Sequence, residues 1–163
     1  MSVLADRRLR LAAAVATGVL AADQASKLVV ERAMELHETI ELLPFFALTY
    51  VRNTGAAFGV LAAAPPAVRL PLFVVVTVAA VGALVSLVRR TPAEQPGLVA
   101  ALGAVLGGAL GNLVCRLRYG DVIDFLDLHW GGLHWPAFNV ADSAISVGVA
   151  LLALRMLTTP SAR

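Results

Sequence analysis

Four apolar stretches set the terms for this chain. Leu70–Val88 and Leu98–Val114 carry no charged residue, and Val140–Leu157 carries only Asp142 and Arg155. Each approaches the roughly 20 residues that an α-helix needs to cross a bilayer. The first stretch is interrupted: Leu11–Ala22 is uncharged, then Asp23-Gln-Ala-Ser-Lys27 intervenes before Leu28-Val-Val. A basic head followed by a short apolar run also describes a secretory signal peptide. Here, however, Lys27 follows Asp23 by one helical turn, so the polar pair fits within a continuing helix. Extended from about Leu9 to Val30, the segment is long enough to be a retained span. With 59% hydrophobic against 15% charged residues, the chain is too apolar for a soluble domain. The expectation is an all-α membrane protein, one polytopic domain over residues 1–163. Its four transmembrane helices are expected near 9–30, 70–88, 98–115 and 140–157.

The two longer connections differ from the spans. Residues 31–66 read as a small extracytoplasmic β-rich cap between the first and second helices. Thr39–Leu43 and Ala47–Val51 are rich in β-branched and aromatic residues on either side of Pro44, and Asn53-Thr-Gly55 signals a turn. Phe45, Phe46 and Tyr50 are expected to face the membrane interface. Residues 116–139 read as an outer loop, with Tyr119, Trp130 and Trp135 as interface anchors. In the third span Gly103, Gly107 and Gly111 recur every fourth residue, a small-residue face suited to close helix contact in lipid. The basic residues divide seven against six between the two sides. Arg7, Arg8 and Arg10 lead the first span, which places both termini in the cytoplasm.

The same residues exclude several functions. The arginines cluster at span ends rather than forming a stripe, which argues against a nucleic-acid partner. A single cysteine, Cys115, rules out an internal disulfide, and no histidine lies near it in sequence to activate it. His37, His129 and His134 lie in connections without helical ligand spacing, so no metal is expected.

This topology gathers the unusual polar residues at one boundary. Asp23, Lys27, Asn53, Asn112, Arg116, Asp124, Asn139 and Asp142 all fall near the outer face. Ionisable groups beside hydrocarbon persist mainly where they have a partner or a task. Asp124 interrupts the apolar run Val122-Ile-Asp-Phe125, and Asp142 lies just inside the last span. Two carboxyl groups in a poorly hydrated site do not both ionise easily. One then serves as general base toward a water while the other, protonated, polarises a carbonyl. Such a pair titrates as a unit, so the base is not assigned to either residue. Plainer roles stand beside these. Asn139 with Asp142 three residues on is a capping-box pattern. Asp23 and Lys27 can simply neutralise each other. Asn53 can be a turn residue, Asn112 a polar link between helices, and Arg116 an anchor at the lipid boundary.

Five stretches together resemble one family, the lipoprotein (type II) signal peptidases of bacterial membranes. They are Asp23-Gln-Ala-Ser-Lys27, Asn53-Thr-Gly-Ala-Ala-Phe58, Gly111-Asn112-Leu-Val-Cys-Arg116, Val122-Ile-Asp-Phe125 and Phe138-Asn-Val-Ala-Asp142-Ser, in the family's order. The resemblance implies an aspartyl endopeptidase of the bacterial inner membrane, with its active site toward the extracytoplasmic side. It would cut the signal peptide from prolipoproteins just before a cysteine carrying a diacylglyceryl group. It implies Asp124 and Asp142 as the catalytic pair, and Asp23, Lys27, Asn53, Asn112, Arg116 and Asn139 as supporting or substrate-contacting residues. It also implies no metal or organic cofactor, inhibition by the cyclic peptide globomycin, membrane lipid as a partner, and a monomer. One departure stands out. The family usually places an aspartate between Val114 and Arg116, where this chain has Cys115, so a natural partner for Arg116 is missing.

Two other classes compete. A small proton-coupled transporter needs polar groups at mid-membrane in several spans, and here the inner halves are nearly bare. A non-enzymatic anchoring protein would dimerise through the glycine face and keep its aspartates only as caps.

Overall fold

The structure, a computed structural model, describes residues 3–55, 61 and 63–158. Helix α1 spans Val3–Ala33, α2 Pro66–Arg90, α3 Pro96–Tyr119 and α4 Val140–Thr158. Helix α1 continues through its polar insert because Lys27 Nζ lies 2.8 Å from Asp23 Oδ2 one turn away. Helices α2 and α3 each begin with proline in the first turn, where a missing N–H costs nothing. Helix α3 stops at Gly120, whose φ of 81° lets its N–H close back onto Arg116 O at 2.9 Å.

Helix α3 is the hub and packs against all three other helices. Its glycines make this possible. A methyl group at Gly107 would lie 2.5 Å from Ala16 O of α1, and one at Gly111 would lie 2.6 Å from Asp23 Oδ2. The small-residue face is therefore used within the chain, α1 against α3, and is not left over for a second copy. At the other end, the Arg8 guanidinium donates to Thr91 O and ties the start of α1 to the α2–α3 connection.

Polarity runs opposite to that of a soluble protein. The buried polar residues include Asp23, Lys27, Asn112, Asp124 and Asn139. Val75, Val76 and Val78 of α2 and Leu154 and Leu157 of α4 are exposed. An apolar exterior this extensive needs an apolar surrounding. Among the described residues, Arg7–Ala33, Pro66–Arg90 and Pro96–Tyr119 are long and apolar enough to cross a membrane. The chain is a multi-pass membrane protein.

The sheet differs from the sequence expectation. Strands β1 (Thr39–Leu43), β2 (Phe46–Asn53), β3 (Val122–Trp130) and β4 (Leu133–His134) form one antiparallel sheet in the order β1-β2-β3-β4. The β structure is thus not confined to residues 31–66, the 116–139 segment is not a plain loop, and the molecule is not all-α. Val122–Phe125 is a short apolar run buried on both faces, and such a strand shows no alternation to mark it. Tyr50 also departs from expectation. A register shift between Leu48 and Val51 turns both Thr49 and Tyr50 inward, and Tyr50 packs with Val30, Ile123 and Phe125 instead of facing an interface. Phe45, Trp130 and Trp135 are exposed.

Candidate active site

Strand pairing and one helix start bring the two aspartates to a common site. The β2–β3 register sets Asn53 opposite Val122 and Val51 opposite Asp124, so the end of β2 lies beside Asp124. Backbone bonds from Phe125 and Leu126 to Phe138 O, at 2.9 and 2.8 Å, fold the chain back so that α4 begins next to β3. The result is a cavity of about 1170 Å³ whose wall includes Asn53, Asn112, Arg116, Asp124, Phe138 and Asp142.

Three amides hold the two carboxylates. Asn139 Nδ2 donates to Asp124 Oδ1 at 2.6 Å, and Asn53 Nδ2 donates to Asp124 Oδ2 at 3.0 Å. Asn112 Nδ2 donates to Asp142 Oδ1 at 2.8 Å. Asn139 also caps α4: its Oδ1 accepts from Asp142 N at 3.0 Å, and its own N–H donates to Asp142 Oδ2 at 3.3 Å. The reciprocal cap read from sequence therefore exists. It occupies one oxygen of Asp142 and leaves the other to Asn112. Among the described residues, Asn139 is hydrogen-bonded to both aspartates.

Behind this layer lies a buried ion pair. Lys27 Nζ bridges Asp23 Oδ2 at 2.8 Å and Asn112 Oδ1 at 2.9 Å. Asp23 Oδ1 accepts from Ala141 N at 2.9 Å, which fixes the first turn of α4 to α1. Asp23 and Lys27 are almost wholly buried, so each needs the other. Lys27 thus reaches Asp142 through one side chain, Asn112.

Arg116 closes another part of the wall. Its Nη2 donates to Gly55 O at 3.0 Å and its guanidinium stacks 4.2 Å from the centre of the Phe73 ring. Gly55 N in turn donates to Asn53 Oδ1 at 2.9 Å, an Asx turn that orients the Asn53 amide toward Asp124. Ala56, Ala57 and Phe58 of the Asn53–Phe58 stretch lie outside the described residues.

All eight residues singled out from sequence therefore belong to one connected network. Sequence reading missed Gln24, whose Nε2 donates to Asp23 Oδ2 at 2.9 Å and to Gly111 O at 3.1 Å. Its only signal was its place between Asp23 and Lys27. Burial raises the Asp124 carboxyl from 3.8 to about 6; the Asn53 and Asn139 amides oppose the rise and the Asp142 charge adds to it. A carboxyl titrating there exchanges protons readily near neutral pH.

A membrane helix bundle with two amide-held carboxylates on one cavity wall has the donor set that hydrolases of the aspartic class use. Comparison with known proteins is specific. A family profile described as Signal peptidase (SPase) II matches residues 15–158. The lipoprotein signal peptidase of Geobacter sulfurreducens is 49% identical over 149 residues, covering 91% of this chain and 92% of that protein. That of Syntrophotalea carbinolica is 49% identical over 148 residues, covering 90% and 91%. A bacterial membrane enzyme solved by the in meso method at 2.3 Å resolution superposes with a TM-score of 0.81 at 31% identity, covering 90% of this chain and 87% of that one. The chain belongs to the signal peptidase II family. It is an aspartic-class peptidase, and the transporter reading is set aside.

Proposed function

We propose that this chain removes the signal peptide from prolipoproteins by general acid–base catalysis, with Asp124 and Asp142 as the catalytic pair. The observation that carries this reading is the pair itself: two carboxylates on one cavity wall, each held by asparagine amides. One aspartate takes a proton from a water, and the water oxygen adds to the scissile carbonyl carbon. The other aspartate gives its proton to the carbonyl oxygen. The proton taken from water passes to the amide nitrogen, a hydroxyl of the tetrahedral intermediate gives its proton to the pair as the C–N bond breaks, and the pair again holds one proton between its members. Asn53 and Asn139 orient Asp124, and Asn112 orients Asp142 while relaying the Lys27 charge. Asp23 fixes Lys27 and the start of α4. Arg116 contacts the substrate backbone at the cavity wall.

The finer setting is part of the same proposal. The four helices all span the bacterial inner membrane, both termini face the cytoplasm, and the sheet lies on the extracytoplasmic side. The exposed leucines and valines of α4 support a fourth span. The whole chain acts as one domain and as a monomer, since the glycine face is already occupied. The substrate is cut just before a diacylglyceryl cysteine whose acyl chains stay in lipid, and globomycin competes for the cavity. The test is cleavage of a diacylglyceryl-modified precursor by purified Asp124→Asn and Asp142→Asn proteins that remain folded in detergent. Both lose turnover; retained turnover in either one ends the mechanism.

A further inference from the structure

A second cluster of ligating side chains lies on the β3–β4 hairpin, away from the two aspartates. Asp127 and His129 are two residues apart on β3 and so share a face. His134 on β4 pairs directly opposite His129. The two-residue turn between them is Gly131-Gly132, with φ of 56° and 83°, the left-handed pair that a tight primed hairpin turn requires. This turn pins the register and therefore the facing of the two imidazoles. One ligand atom from each of Asp127, His129 and His134 falls within 4.8 Å of the others.

A plain ion pair accounts for only part of this. His134 Nδ1 lies 2.9 and 3.1 Å from the two Asp127 oxygens, which a donated hydrogen bond explains. His129 is not explained. Its Nδ1 is buried without a hydrogen-bond partner and faces Asp127 Oδ1 at 3.9 Å. As a lone pair it opposes a carboxylate oxygen; as an N–H it lies beyond hydrogen-bond distance of that oxygen and gains only a long ion pair when the ring is protonated. Buried polar atoms left in this way call for a reason. A cation between the three groups supplies one.

We propose that Asp127, His129 and His134 bind a divalent transition-metal ion of the zinc type, which clamps the β3–β4 hairpin. Two ligands of one Zn²⁺ lie about 3–4 Å apart at bond lengths of about 2.0–2.1 Å. The carboxylate–imidazole separations of 2.9 and 3.9 Å lie at the two ends of this range, and all three ligand atoms fall within 4.8 Å, so a small adjustment closes the site. Two imidazoles and one carboxylate select zinc and its neighbours over magnesium or calcium, which prefer oxygen alone. His134 is 58% exposed at its side chain, which gives the ion a way in and leaves a coordination position for water. The consequence reaches the catalytic cavity. Trp135 N donates to Leu128 O at 2.8 Å, and Trp135, Pro136, Ala137 and Phe138 form cavity wall on the way to Asn139. Fixing His134 to β3 therefore stiffens the segment that delivers Asn139 to the two aspartates.

The test uses full-length protein in detergent, stripped with chelator and titrated with ZnCl₂. The chain's two tryptophans, Trp130 and Trp135, flank the cluster, so intrinsic fluorescence reads it directly; calorimetry gives the stoichiometry. One equivalent binds tighter than about 10 µM. Asp127→Asn, His129→Ala and His134→Ala each weaken binding by more than about tenfold. His37→Ala, the chain's remaining histidine, leaves it unchanged. Absence of saturable binding overturns the proposal. So does binding that survives His129→Ala, because the Asp127–His134 pair alone would then be holding the ion.

Discussion

Asn139 is the residue on which the aspartate site should be most sensitive. In Asn139→Ala, α4 loses its cap, which costs about 1 kcal/mol. The lost cap is the bond from Asp142 N, and Asp124 Oδ1 and Ile123 O each lose a donor as well, beside the fully buried Asn139. At about 1 kcal/mol for each of these two oxygens, added to the cap, the variant is destabilised by roughly 3 kcal/mol in all. For a chain of this size that lowers the unfolding midpoint by about 10 °C. Asp124 keeps its Asn53 bond but loses the shorter one, so it is free to swing by about 1 Å, a displacement that costs about 10²-fold in turnover. The loss should fall on kcat rather than KM, since Asn139 lies behind the carboxylates. Asn139→Asp separates the two roles. It keeps the oxygen that caps Asp142 N but places a carboxylate oxygen where an amide donor now sits 2.6 Å from Asp124. That variant should be inactive yet recover stability as the pH falls and the new pair takes up a proton. Thermal unfolding in detergent and cleavage of a lipidated precursor are the two assays. If Asn139→Ala melts within about 2 °C of wild type and turns over within about threefold, the amide does not hold the pair and the reasoning fails.

Lys27→Met leaves the Asp23 carboxylate buried without its counter-charge and should cost about 3–5 kcal/mol, while adding Asp23→Asn restores much of it; a single variant as stable as wild type contradicts the buried pair. The Asp124 carboxyl is raised from 3.8 to about 6, so in that interval the folded chain binds more protons than the unfolded one. Its contribution to stability is full below 3.8 and is lost as pH rises through about 6, by about 3 kcal/mol, and Asp124→Asn should flatten that slope in unfolding curves; unchanged slopes reject it. Gly107→Ala forces its methyl to 2.5 Å from Ala16 O and should cost about 1–3 kcal/mol by prising α1 from α3. Gly82→Ala meets nothing within 4 Å and should be neutral or stabilise by about 0.5–1 kcal/mol; equal effects at both sites refute the packing argument.

The polar residues were legible because hydrocarbon makes them conspicuous. An aspartate in a soluble surface means little, but Asp23, Asp124 and Asp142 each interrupt apolar sequence, and each proves to have a specific partner. Helix positions were legible for the same reason, since length and apolarity alone define a candidate span. The sheet was only half legible. Strands β1 and β2 carry turn and β-branched signals next to each other in sequence. Strand β3 pairs with β2 across some 70 intervening residues, including all of α2 and α3, and nothing local announces that partner. The hairpin cluster was hidden by the same blindness. His129 and His134 have no helical spacing, and only the cross-strand register makes them neighbours.

Cys115 and Arg116 illustrate a further gap, that of direction. Adjacent helix residues point about 100° apart, so a side chain at 115 and one at 116 do not share a face. Cys115 faces α1, where its Sγ lies 3.7 Å from Gln24 Nε2 beside Asp23. Arg116 faces the cavity and is held by Gly55 O and the Phe73 ring, contacts that owe nothing to residue 115. The missing carboxylate therefore bears first on the α1–α3 seam, while Arg116 keeps a buried Nε without a hydrogen-bond partner. At that seam the Asp23–Lys27 pair is already balanced, one charge against one, with Gln24 sharing the carboxylate. A second acid there would leave a net negative charge in a buried space, while a thiol leaves the pair neutral and fills the volume. The departure from the family pattern is thus compatible with this seam as it is built, and it leaves Arg116, Asp124 and Asp142 where the proposed chemistry needs them.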